Sequence, residues 1–375
     1  MPACLPVCYT PACVQALTPL IVGGRLVIAR PDGHMDADHV MSLIADHGVS
    51  FFVSTPSLAL VQFRSDHALR STKLRSAVFG GETLPREVIA LVKRQVPQCL
   101  VYNVYGPTEA TITASELPCP PTIDFISIGR PVHNMHAYVV DGQLRAVPVG
   151  VPGELLLSGP RLATGYVGRP DLTAEKFISN PCLDLVRENL PAKLLEHYRL
   201  AYRTGDLVRW RPDGTIEFLG RIDRQVKVNG VRIELGEVEA ALGSAPGVAQ
   251  AVASAVADDS GAKRLVGYVS PASAKAAEIL AHCRTLLVPA MVPSIVVALD
   301  AFPLMPNGKV DVKALPPPDW GAAGAEEYVA PASELESTVQ RVWQEVLGRG
   351  EDQLLSVTAD FFAAGGTSMQ VGAGC

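Results

Sequence analysis

Apolar and polar positions fall into three regimes along the chain. Up to residue 105, helical spacing alternates with short apolar runs. Val14, Leu17, Leu20 and Ile21 recur at helical spacing until Gly23 and Gly24 stop them, and residues 25–29 then read as a short strand. A helix is expected over 36–46, and buried strands over 49–53 and 74–79. GGETLP follows at 80–85, a helix then runs to about residue 95, and a strand over 100–104 leads into YGPTE. Such alternation of strands and helices argues for α/β layers. From Ile128 the pattern shifts to short strands between Gly/Pro turns, at 137–140, 153–157 and 216–219, as in a β-rich subdomain. The third regime opens with residues 225–234, which alternate polar and apolar around Asn229 and Gly230. That dipeptide supplies the positive φ angles a two-residue hairpin turn needs. A helix at 235–242, strands at 248–256 and 265–269 and a helix at 274–287 complete a small α+β domain of ordinary size. Three prolines at 316–318 and small residues to 324 read as a linker. Leu335, Val339, Val342, Trp343, Val346 and Leu347 then form the stripe of an amphipathic helix.

Composition narrows the function. The chain has 375 residues, enough for two or three domains. Its formal charge of -6 argues against a nucleic-acid partner, and 6% aromatic residues offer no base-stacking platform. No apolar run approaches the roughly 18 residues of a membrane span. The eight cysteines form no CxxC pair, so neither a zinc site nor a disulfide framework is expected. Without a secretory signal at the N-terminus, reduced thiols and a cytoplasmic location follow.

Four segments carry candidate chemistry: NVYGPTE at 103–109, YRTGDL at 202–207, GRIDR at 220–224 and PNGKVD at 306–311. Each has a bland reading. Gly-Pro after a strand is a turn, Asp after Gly is a turn residue, a charged hairpin is a solvated edge, and a lysine at a turn tip is solvated. Against that, a strand end followed by Gly-Pro and polar residues is where an open α/β sheet binds ligands. Together the four segments resemble the adenylation domains of nonribosomal peptide synthetases, within the acyl-adenylate-forming ligases. GELLLSGPRLATGYVGRPDLTAEKF at 153–177 resembles a further core motif, read here as shaping the core. DFFAAGGTSMQ at 360–370 resembles the attachment motif of acyl and peptidyl carrier proteins.

The resemblance implies ATP and Mg2+ as reaction partners. It sets Tyr105 and Gly106 against the adenine, with Thr108 and Glu109 near the phosphates, Glu109 through the metal. It makes Asp206 the ribose ligand, puts Phe218 near the base, and has Arg221 reaching ribose or phosphate. Asp223 becomes the hinge, Gly230 lines a thiol channel, and Lys309 is the catalytic lysine. Ser368 takes 4′-phosphopantetheine from a phosphopantetheinyl transferase. In the implied chemistry a carboxylate attacks the α-phosphorus of ATP, giving acyl-AMP and pyrophosphate. The pantetheine thiol then attacks acyl-AMP, giving a thioester and AMP. Two anions meet in the first step, so charge neutralisation and alignment dominate, and the lid turns about Asp223 between steps.

The fold class expected is therefore α/β. A partial adenylate-forming core of α/β layers plus a β-rich subdomain spans 1–219, and a small α+β C-terminal lid spans 220–315. A linker over 316–331 leads into the start of a helical carrier at 332–375. The family's phosphate loop is expected before residue 1 and the carrier to be cut at residue 375, so the chain reads as a fragment of a larger synthetase with condensation and carrier neighbours. The substrate pocket is expected at Thr10, Val14, Val53, Val78, Gly80, Val104, Ile112 and Thr113, mostly small and apolar. Thr10 stands where the family usually has the Asp that pairs with a substrate α-ammonium. The activated carboxylic or amino acid is thus expected to lack that ammonium, which leaves an aryl, keto or hydroxy acid open. Two alternatives are an acyl- or aryl-CoA ligase, which predicts no carrier motif at 365–368, and an inactive remnant.

Overall fold

The structure, a computed structural model, describes residues 11–31, 33, 36–64, 73–188, 191–228, 231–258, 263–305, 310–320, 329–347 and 355–357. The chain divides into two compact units, Met1–Asp223 and Arg224–Cys375.

The first unit holds two sheets. One runs β1 (Phe51–Ser54), β2 (Ser76–Gly80), β3 (Leu100–Tyr105), β4 (Ser115–Pro118) and β5 (Arg130–Pro131), in that spatial order. The first three strands are parallel and the last two antiparallel. Helix α1 (Pro11–Ile21) precedes them, followed by α2 (Ala37–Asp46), α3 (Pro56–Gln62) and α4 (Arg86–Gln95). Local chemistry sets the helix starts. Asp36 caps α2 by accepting from the His39 N–H, and Thr55 caps α3 with Pro56 in its first turn. The helices bury Met41, Ile44, Val88 and Val92 against Phe52, Ala77, Phe79 and Val101, which occupy one face of the parallel strands. That arrangement is the usual cover of a parallel sheet.

The second sheet is antiparallel, in the order β10 (Ile216–Arg221), β9 (Leu200–Trp210), β7 (Gly153–Ser158), β6 (His136–Val140), with β8 (Phe177–Ser179) also paired to β9. Short helices α5 (Pro170–Lys176), α6 (Asp184–Arg187) and α7 (Ala192–Leu195) lie in its connections. Every residue of β7 is buried, including Glu154.

Two local expectations change. Residues 25–29 carry no strand ladder, and Ile28 is exposed; branched residues make a strand only where a neighbour takes their backbone bonds. YRTGDL reads as a turn in isolation, yet it lies inside β9, the longest strand described. β7, β8 and β10 supply the partners that override its Thr-Gly-Asp turn chemistry.

In the second unit β11 (Gln225–Val228) pairs with β12 (Val231–Glu234) as a hairpin. Helices α8 (Leu235–Gly243) and α9 (Ala276–Leu286) cover a three-stranded sheet. Its strands are β13 (Gln250–Ala257), β14 (Lys263–Ser270) and β15 (Ile295–Ala298). Val238, Leu242, Ile279 and Cys283 from the helices pack with Ala253, Leu265, Val269 and Val296 from the strands. Helix α10 (Glu334–Val346) begins at Ser333, whose hydroxyl accepts from the Glu336 N–H while the Glu336 carboxylate reaches back to the Ala332 N–H.

Candidate active site

The C-terminal end of β3 meets the middle of β9. Tyr105, the last residue of β3, is buried and its hydroxyl donates to Asp206 Oδ2. Asp206 is itself 6% exposed, and its other oxygen, Oδ1, accepts from Arg221 Nη1 at 2.8 Å. Arg221 stands directly opposite Asp206 in the β9–β10 register. A register shift between Phe218 and Gly220 adds one residue to β10 just before it, the kind of bulge that re-aims a side chain. The guanidinium also donates to the Thr204 carbonyl at 2.7 Å and to Asp223 Oδ1 at 2.8 Å. Gly205 makes room for this. Its φ is +70°, and a Cβ there would lie 2.9 Å from both Arg221 Nη2 and Asp223 Oδ2. Below the network Glu154 fixes the backbone, accepting from the Gly205 N–H at 3.2 Å and pairing with Arg203 at 2.7 Å.

Electrostatics reinforce the geometry. Burial, and then the Asp206 charge, push the Tyr105 phenol well above its usual range, so it remains a hydrogen-bond donor. Burial works against the Arg221 charge, but its bond to Asp223 and the charges of Asp206 and Asp223 outweigh that and hold the guanidinium above its ordinary value.

Immediately after Tyr105 the chain turns through Gly106 and Pro107 into a short 3-10 turn, Thr108–Ala110. A Cβ on Gly106 would sit 2.3 Å from the Ile112 carbonyl oxygen and 2.7 Å from the Ala114 nitrogen, so only glycine lets the returning loop pack this closely. That loop holds Thr111 and Ile112 at φ values of 56° and 73°, uncommon for any residue other than glycine and strained for a branched one. Glu109 is buried at the base of the turn, and its Oε1 accepts from the Tyr166 hydroxyl at 2.6 Å. Its backbone carbonyl accepts from the Ala163 N–H at 2.8 Å. Asn103, also buried, donates to the Ser127 carbonyl at 2.8 Å and so tethers β3.

The expected pocket residues of the sheet share a face. Val53 is opposite Val78, Val78 opposite Tyr102 and Gly80 opposite Val104, and all are half-buried on the side away from the helices. Val14 is half-buried on α1, whose Gln15 amide donates to the Val53 carbonyl at 2.6 Å. Ile112 and Thr113 are half-buried in the loop after the 3-10 turn. Tyr102 was not singled out from sequence, because its place on this face follows only from the strand register.

Residues 1–167 match the AMP-binding enzyme family, and residues 237–309 match the AMP-binding enzyme C-terminal domain. Tyrocidine synthase 3 of Brevibacillus parabrevis is 41% identical over 357 residues, covering 94% of this chain and 5% of that protein. The chain belongs to the AMP-binding enzyme family. Its relatives put it among nonribosomal peptide synthetases as an adenylation domain. Tyrocidine synthase 2 of the same organism is 40% identical, over 94% of this chain and 9% of its own length. N-(5-amino-5-carboxypentanoyl)-L-cysteinyl-D-valine synthase of Amycolatopsis lactamdurans is 39% identical, over 95% and 10%. A holo NRPS protein containing adenylation and PCP domains, bound to a vinylsulfonamide inhibitor, superimposes with a TM-score of 0.74. It shares 25% identity and covers 100% of this chain and 60% of that one. A holo four-domain nonribosomal peptide synthetase bound to AMP and glycine gives 0.52, with 30% identity over 99% and 27%. The chain thus spans a tenth or less of these curated relatives.

Within this AMP-binding enzyme, Tyr105, Gly106, Glu109, Asp206 and Arg221 lie where the carboxyl end of β3 and the turn after it meet β9 and β10. Thr108 is exposed at the start of the 3-10 turn. Phe218 lies further along β10, opposite Val208 and 39% exposed. Asp223 is bonded to Arg221 and ends the first unit, whereas its neighbour Arg224 begins the second and pairs with Glu239 at 2.7 Å. Thr10, Gly230, Lys309 and Ser368 lie outside the described residues. Among the described residues no group of three or more His, Cys, Asp or Glu side chains could hold a metal by itself. A single buried carboxylate beside a Gly-Pro turn instead suits magnesium, which keeps waters and shares its shell with substrate phosphates. Among the described residues no helix is long and apolar enough to cross a membrane. Sequence reasoning missed Tyr166. It assigned 153–177 a shaping role, and nothing in the spacing of that segment signals a bond to a residue 57 positions earlier.

Proposed function

We propose that this chain is the adenylate-handling part of a synthetase that activates a carboxylic acid with ATP as acyl-AMP and passes the acyl group to a pantetheine thiol. The observation that carries this reading is Asp206, a buried carboxylate held between Arg221 and Tyr105, the latter at the carboxyl end of a parallel strand. Each carboxylate oxygen has two lone pairs, so bonds to Tyr105 and Arg221 leave capacity for ribose hydroxyls. The pre-formed bonds fix the carboxylate before nucleotide arrives, which lowers the ordering cost of binding. Thr108 and Glu109 then border the phosphates. Glu109 would hold magnesium, which would supply positive charge to offset that of the phosphates.

Lys309 supplies the second cation, carried by the Arg224–Cys375 unit. Asp223 is the hinge: it is tied to Arg221, and the next residue is tied to Glu239 in the other unit, so rotation concentrates in the bonds between them. Once Lys309 withdraws, the hairpin around Gly230 replaces it and the thiol reaches the acyl-AMP. Ser368 carries that thiol after modification by a phosphopantetheinyl transferase, and neighbouring synthetase domains receive the acyl group. With Thr10 replacing an acidic residue and small apolar side chains along the sheet face, the preferred acid lacks an α-ammonium.

ATP–pyrophosphate exchange across a panel of aryl, keto, hydroxy and amino acids tests the reading. Exchange driven best by an acid without an α-amino group supports it, and exchange driven best by an ordinary α-amino acid overturns the substrate assignment. No exchange with any acid overturns the activity.

A further inference from the structure

Glu109 lies in a three-residue turn between Pro107 and the left-handed Thr111, and a second element reaches it there. The loop after β7 lays the Ala163 N–H on the Glu109 carbonyl at 2.8 Å and the Tyr166 hydroxyl on Glu109 Oε1 at 2.6 Å. The Tyr166 ring is fixed in turn. It packs edge-on against Phe177 with centroids 5.7 Å apart, its backbone N–H donates to Thr173 Oγ1 at 2.9 Å, and its hydroxyl lies 3.4 Å from that of Tyr202.

We propose that Tyr166 is a positioning residue for the divalent cation: its phenol fixes the rotamer of the Glu109 carboxylate and so sets the affinity for magnesium with ATP. This rests on the reading of Glu109 as the metal ligand. A phenol donating to one carboxylate oxygen leaves lone pairs for a cation, and it orients that carboxylate as outer-shell partners commonly do for metal-bound side chains. The 153–177 segment therefore contributes to the reaction through one hydroxyl as well as shaping the core.

The test is a Mn2+ titration followed by electron paramagnetic resonance at saturating ATP, on the full chain and its Tyr166→Phe, Glu109→Gln and Ser158→Ala variants. Tyr166→Phe keeps the ring packing and removes only the hydroxyl. Ser158→Ala weakens the same sheet, through lost bonds to the Tyr198 and Leu200 carbonyls, without touching the phenol. Tyr166→Phe is expected to weaken Mn2+ by about tenfold or more, in the range typical of outer-shell changes. Glu109→Gln should weaken it further, and Ser158→Ala should lower only the melting temperature. Unchanged Mn2+ affinity in Tyr166→Phe with loss in Glu109→Gln overturns the positioning role and leaves the metal ligand standing. No change in either variant overturns both. Equal weakening in Ser158→Ala reduces Tyr166 to general packing and also overturns the role.

Discussion

The phenol of Tyr105 donates to the carboxylate of Asp206, although 101 residues separate them in the chain. This bond joins the two sheets of the first unit, since Tyr105 ends β3 and Asp206 lies within β9. The pairing with Arg221 makes the network ionic as well as buried. Replacing Asp206 by Ala strands that guanidinium with Asp223 as its remaining carboxylate among these bonds. We expect a loss of about 2 kcal/mol in stability, below the roughly 3–5 kcal/mol of a pair broken outright. A lower urea midpoint at unchanged slope checks this, and an unchanged midpoint contradicts it.

Gly106 permits the approach of the Ile112 and Ala114 backbone to the turn that carries Glu109. Gly106→Ala places a methyl where backbone atoms lie 2.3 and 2.7 Å away. Backbone cannot yield as a flexible side chain can, so the substitution should cost about 1–3 kcal/mol and displace Glu109. Thermal unfolding should show a drop of several degrees, together with weaker ATP binding. Retention of both would show that the loop relaxes freely.

Cys99 and Cys119 are buried, and burial pushes both thiols from an ordinary 9.0 up to about 11. Unfolded, they ionise near 9.0, so above that pH the unfolded chain holds fewer protons than the native one. Rising pH therefore favours unfolding through these groups. Their contribution is complete below about pH 9 and is lost as pH approaches about 11. Unfolding midpoints taken at mildly and strongly alkaline pH should fall less in a Cys99→Ala, Cys119→Ala double variant than in the parent. Parallel declines would rule these thiols out as the cause.

Lys309→Ala separates the two half-reactions. On the alternating-lid reading it abolishes ATP–pyrophosphate exchange yet spares thiolation from preformed acyl-AMP, because the lysine has withdrawn by then. Equal loss of both steps would overturn the alternating-lid assignment.

Much of the fold is legible in the sequence. The parallel strands announce themselves as apolar runs, and α2 and α4 are expected from the sequence, whereas α3 and its Thr55 cap emerge only in the structure. The longest strand does not, because Thr204, Gly205 and Asp206 read as a turn until strands on both sides take their backbone bonds. Residues 25–29 fail in the opposite sense, having strand composition without a partner. At the site, resemblance brings out Tyr105, Asp206 and Arg221 separately, whereas the Asp206–Arg221 bond follows a one-residue register shift in β10 and the Tyr105–Asp206 bond needs the two sheets brought together. The left-handed Thr111 and Ile112 carry no glycine to mark them, and Tyr166 reaches Glu109 only through the folded loop.

On the function proposed above, Asp206 reads the ribose of an adenine nucleotide. Calorimetric titration of AMP and of 2′,3′-dideoxy-AMP, on the parent and on Asp206→Asn, addresses it most directly. The parent should bind AMP and discriminate at least about tenfold against the dideoxy form, and Asp206→Asn should lose most of this preference. Equal affinity of the parent for both nucleotides, or a preference that survives in Asp206→Asn, would contradict it.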